Sequence, residues 1–161
     1  MSEKEKSRDA LLRVLFRKYR KIRELCDEHI LQRYQNAKDY YESFEWFENL
    51  MEGKDPDKLI EELQHTSETT ERIICHIDRT VEKYGEIARQ EGITSWREYD
   101  ALYSRYFSSH FSSPKEISRK FGVKKSTVYG DMKHAETRLV TMLFDDSATD
   151  GISLDDGNNN D

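Results

Sequence analysis

Proline is nearly missing from this chain: Pro56 and Pro114 are the two in 161 residues, alongside seven glycines. So few breakers favour long uninterrupted helices. Cysteine is equally scarce, with Cys26 and Cys75 alone, which excludes a disulfide framework and fits a reducing interior. Cys26 with His29 and Cys75 with His76 invite a zinc reading. Folding two helices about Gly53 and Asp55, however, aligns Cys26 with a position nearer Val81, and zinc needs four tightly clustered ligands. No metal is expected.

Other absences narrow the function. There is no apolar run long enough to span a membrane and no basic-then-apolar leader, so a cytoplasmic protein is expected. No glycine loop cradles phosphate, and neither a His-Glu-x-x-His helix nor a nucleophile elbow occurs. Neither an enzyme nor a cofactor is expected. Apolar residues make up 35% and charged residues 36%, a balance poor for a globular core and normal for solvated helices.

What is present centres on residues 112–139, SSPKEISRKFGVKKSTVYGDMKHAETRL. Ser113, Pro114 and Glu116 read as a capping box with proline at the first helical position. Ile117 and Phe121 share one face, and Gly122 supplies the left-handed residue that ends a short helix. Val123 plugs the turn. A second helix then carries Val128, Met132, Ala135 and Leu139 inward, leaving Lys124, Lys125, Ser126, Tyr129 and Lys133 outward. A short scaffold helix, a glycine turn and a second helix with a basic outer face suit the major groove of DNA.

The run Glu116-Ile117-Ser118, Phe121-Gly122-Val123, Thr127-Val128 and Ala135 through Leu139 resembles the last domain of sigma factors, which reads the upstream promoter element. Residues 101–107 resemble the helix packed on it there, and the likeness covers about 99–144. The whole chain is similar to phage and prophage late-gene regulators of the ArpU and RinA kind. Lys124, Gly130 and Asp131 depart from the pattern, replacing a capping serine, an ordinary helical residue and a frequent basic contact. The resemblance implies sequence-specific double-stranded DNA binding that regulates transcription, with RNA polymerase as a further partner.

The net charge of −6 at first opposes that reading. Divided, residues 1–25 hold nine Lys/Arg against four Asp/Glu, and residues 95–144 hold nine against five. Residues 26–94 and 145–161 hold the acidic excess. Phosphate responds to the local field, because screening acts over about 8 Å at physiological salt.

Before the motif, apolar residues recur at helical spacing from Leu11 to Met51 and from Leu59 to Ala88, bounded by Gly53 and Gly92. The expected architecture is all-α. Residues 1–6 are a flexible start, 7–91 form a long antiparallel helical hairpin, 95–144 a sigma-like helix-turn-helix module, and 145–161 a disordered acidic tail. Two soft points are expected in the second hairpin helix, at residues 65–70 and at Gly85. Ser95 and Glu98 read as a capping box for an aromatic helix. Tyr40, Trp46 and Phe47 widen the stripe of the first helix, so a homodimer through the hairpin is expected.

On the motif, Lys125, Ser126, Tyr129 and Lys133 are the candidate base readers. Lys115, Arg119, Lys120, Lys124 and Thr127 are the candidate phosphate contacts or supports. The basic cluster from Arg13 to Arg23 reads first as a solvated face. Two rival functions remain open: a polymerase-docking module and a recognition subunit of a phage DNA-packaging machine.

Overall fold

The computed structural model describes residues 3–26, 28, 42–51, 55–64 and 68–144, and every regular element among them is helical. None of these helices is long and apolar enough to cross a membrane. The chain divides into two compact units, Met1–Arg79 and Thr80–Asp161. Expectations for the tail 145–161 and for His29, Ile30, Tyr34, Ala37, Tyr40 and Tyr41 fall outside the described residues.

In the first unit, α1 spans Glu3–Glu24, beginning four residues before the expected start. Leu11, Leu12, Leu15, Phe16, Tyr19 and Ile22 are all buried, as the three-and-four spacing requires. The helix closes at its end through i→i−3 bonds, from the Leu25 amide to the Ile22 carbonyl and from the Cys26 amide to the Arg23 carbonyl, each 3.1 Å. No glycine or proline marks that stop. Over 7–51 the apolar spacing allows one long helix or two nearly coaxial ones, and the stop after Glu24 excludes the single helix.

Helix α2 spans Glu42–Met51, α3 spans Pro56–Gln64 and α4 spans Glu68–Glu91. Helix α3 packs on α1 and contributes Leu59, Ile60 and Leu63 to the core. Residues 65–67 of the expected weak stretch lie outside the described residues; the Thr70 hydroxyl, in the first turn of α4, donates to the Leu63 carbonyl of α3 at 3.3 Å. Phe47 is fully buried, with its ring 4.7 Å from that of His76. One of the three aromatics behind the dimer expectation is thus covered by its own chain. The Tyr19 hydroxyl donates to the Asp78 carboxylate, and Arg23 reaches both Asp78 and Glu28.

The second unit takes in the end of α4, with Val81, Tyr84, Ile87 and Ala88 buried. Helix α4 runs unbroken through Gly85, contrary to the expected soft point. The Tyr99 ring lies so close that a Cβ at Gly85 would stand 2.8 Å from it. Glycine is there to admit a ring. One residue, Gly92 with φ 119, then separates α4 from α5, Ile93–Leu102. The Gly92 amide donates to Ala88, and its carbonyl accepts from Trp96. Because Gly92 ends one helix and starts the next, the Ser95–Glu98 capping box does not form. Ser95 lies inside α5, where its side chain adds to the lowering of the Glu91 pKa.

A wide π-type turn, Tyr103–Phe107, follows α5 and closes with the Ser108 amide on the Tyr103 carbonyl at 2.8 Å. The expected aromatic stripe is re-phased there. Tyr99, Leu102 and Phe107 are buried, whereas Tyr103 stands exposed. Helix α6 spans Pro114–Phe121 and α7 spans Lys125–Phe144. Ala101, Ile117, Val128 and Met132 form a core that joins α5, α6 and α7, flanked by Tyr106, Phe121 and Val123.

Candidate functional site

The local geometry of residues 113–128 follows from its capping residues. The Ser113 Oγ accepts the Glu116 amide at 3.2 Å and donates to the Glu116 carboxylate, with Pro114 in the first turn. At the other end Gly122 adopts φ 65 and ψ 35, and the Val123 amide returns to the Ser118 carbonyl at 3.0 Å. That left-handed residue satisfies a terminal carbonyl and turns the chain sharply. The Lys124 carbonyl then accepts the Val128 amide, opening α7. Lys124 has no side-chain acceptor to cap it.

Along α7 exposure repeats every three to four residues. Val128, Asp131, Met132, Ala135 and Leu139 are buried; Lys125, Ser126, Tyr129, Gly130, Lys133, His134 and Thr137 are exposed. Tyr129 is 58% exposed, a large aromatic surface left in water. Lys124 is exposed at the head of this face, while Thr127 is half-buried at its side. The four candidate base readers therefore share one face. On α6, Lys115 and Arg119 are exposed.

Lys120, a candidate phosphate contact, is also an internal tie. Its Nζ lies 2.8 Å from the Asp100 carboxylate, tying α6 to α5. Asp100 is buried, and a buried carboxylate demands a partner.

Asp131, noted in sequence only as a departure from a basic contact, points inward. Arg97 grips it with two hydrogen bonds, Nε to Oδ2 at 2.8 Å and Nη2 to Oδ1 at 3.2 Å. The bond to Asp131 raises the affinity of the Arg97 guanidinium for its proton. Helix α7 is thereby anchored to α5. The signal was present in the spacing: Asp131 lies three residues after Val128 and four before Ala135, inside the buried stripe. Nothing in the sequence marked Arg97 as its partner.

Further along, Arg138 holds Glu91 through two bonds of 2.5 and 2.9 Å and stacks 5.2 Å from the Tyr84 ring. Hydrogen bonding to Arg138 lowers the Glu91 pKa from its ordinary value. Several acids of the module are thus paired: Asp131 with Arg97, Asp100 with Lys120 and Glu91 with Arg138, with Glu98 3.7 Å from His134, while Glu116 is bonded to the Ser113 hydroxyl. Among the described residues, Lys115, Arg119, Lys124, Lys125 and Lys133 make no ion pair. The module uses some cations for its own cohesion and leaves five in water.

Gly130 has no such employment. A Cβ there would meet nothing within 4 Å, and glycine inside a helix costs about 1 kcal/mol relative to alanine.

The basic cluster of α1 sorts in the same way. Arg23 is engaged with Asp78 and Glu28, whereas Arg17, Lys18 and Lys21 are exposed. Burial pushes the Cys26 thiol up to about 11 and that of Cys75 up to about 12, so neither is a thiolate at neutral pH.

Comparison with family models, curated proteins and solved structures gives no match to this chain.

Proposed function

We propose that residues 95–144 act as a helix-turn-helix module that binds double-stranded DNA sequence-specifically and thereby regulates transcription. The observation that carries this reading is the sorting of charge. Among the described residues, Lys115, Arg119, Lys124, Lys125 and Lys133 stand exposed without an ion pair around an exposed Tyr129, while the buried Asp100 and Asp131 are paired with Lys120 and Arg97. Such a face offers phosphate contacts from α6 and the head of α7, and base contacts from Lys125, Ser126, Tyr129 and Lys133. Arg97 and Lys120 support it by fixing α7 and α6 to α5. The likeness of this stretch to the last sigma domain points the same way, and regulators of phage late genes supply the biological setting.

The test is selection from random duplexes with the purified protein alone, followed by affinity measurements across salt. About four to six phosphate contacts give a log–log salt slope of roughly −4 to −5. Enrichment of one sequence with that slope supports the proposal. No enrichment without RNA polymerase, and enrichment with it, would replace this reading by the polymerase-docking one.

A further inference from the structure

We infer that Gly130 is where double-stranded DNA comes closest to the α7 backbone, an inference that rests on the DNA-binding reading. Three of the described glycines have a use inside the protein. Gly85 admits the Tyr99 ring, and Gly92 and Gly122 adopt positive φ. Gly130 is exposed, helical and without a positive φ, and empty space surrounds its missing side chain. Neither packing nor backbone conformation requires glycine there, although glycine weakens the helix.

Its position gives the absence a use. Gly130 sits in the second turn of α7, with Ser126 and His134 one turn away on either side and the protruding Tyr129 beside it. The exposed face therefore carries a notch between polar and basic side chains. An α-helix with its side chains is about 10–12 Å across, and the major groove is about 12 Å wide. In so close a fit, one bare position lets the helix axis sit deeper. Lys125, Ser126 and Tyr129 then reach base edges that a side chain at position 130 would hold out of range.

The experiment compares wild type, Gly130→Ala and Gly130→Leu in the full chain by thermal melting and by affinity for the selected duplex and a random one. Gly130→Ala should melt higher than wild type yet bind the selected duplex about tenfold more weakly. Gly130→Leu should bind more weakly still, and the random duplex should be less affected. Wild-type affinity in Gly130→Ala overturns the inference while leaving the DNA reading intact. A lower melting temperature in Gly130→Ala also overturns it, by revealing an internal role. A wild-type protein that selects no sequence removes the DNA reading and this inference together.

Discussion

The aromatic ring of Tyr99 on α5 lies directly against the backbone of Gly85 on α4, closer than any β-carbon would permit. Gly85→Ala should therefore destabilise the protein although alanine is the better helix former. The overpacking cost is about 1–3 kcal/mol, against a propensity gain of about 1 kcal/mol. Tyr99→Leu in the same chain should relieve the clash, so the double variant should be more stable than additivity allows. An additive pair in denaturant titrations would place the strain elsewhere.

Removing Arg97 leaves a buried carboxylate unpaired. Arg97→Ala should cost about 3 kcal/mol, the low end for a broken buried pair because Arg97 itself is partly solvated. Arg97→Ala with Asp131→Ala should cost clearly less than the two single changes combined. Equilibrium unfolding of the four proteins measures this coupling, and a coupling near zero would show that the ion pair anchors nothing.

The Glu91–Arg138 pair gives the stability profile an acid limb. Glu91 has a lowered pKa in the folded chain, so its contribution is fully present above the unfolded value near 4.5. It is lost as pH falls through the lower folded value. Glu91→Gln should flatten the fall in stability below about pH 5, with little change in the shape of the profile above pH 6. Melting temperature against pH for the two proteins decides this, and parallel acid limbs would contradict it.

Base reading and phosphate holding separate by substitution. Tyr129→Ala and Lys125→Ala should each cost about 1–3 kcal/mol on the selected duplex and much less on random DNA. Lys115→Ala should weaken both by similar factors. Lys120→Ala should lower stability first, because it leaves the buried Asp100 carboxylate with the Ser104 hydroxyl but no cation. Titrations on both duplexes provide the comparison, and equal losses from Tyr129 and Lys115 on each would mean that α7 is not the reader.

The elements governed by local chemistry were legible in the sequence. Ser113, Pro114, Glu116 and Gly122 define α6 by capping and backbone freedom alone, and the buried stripe of α7 follows from spacing. What escaped depends on contacts distant in sequence. Gly85 looked like a weak point because propensity does not report a ring arriving from the next helix. Ser95 and Glu98 fit a capping pattern, but Gly92 had already started α5. The stop after Glu24 carries no breaker at all. Lys120 looked like any other surface cation until Asp100 was placed beside it, since sequence gives charge without its partner.

The one-residue joint at Gly92 also limits how this protein can be taken apart. A fragment beginning at residue 95 would carry Tyr99 and Arg138 without Tyr84, Gly85 and Glu91, which complete their surroundings. There is no linker at that point to cut. Recombination or engineering that transplants the module has to break inside helix α4, taking its last turns as cargo, so shuffling at the apparent domain border would deliver an incomplete part.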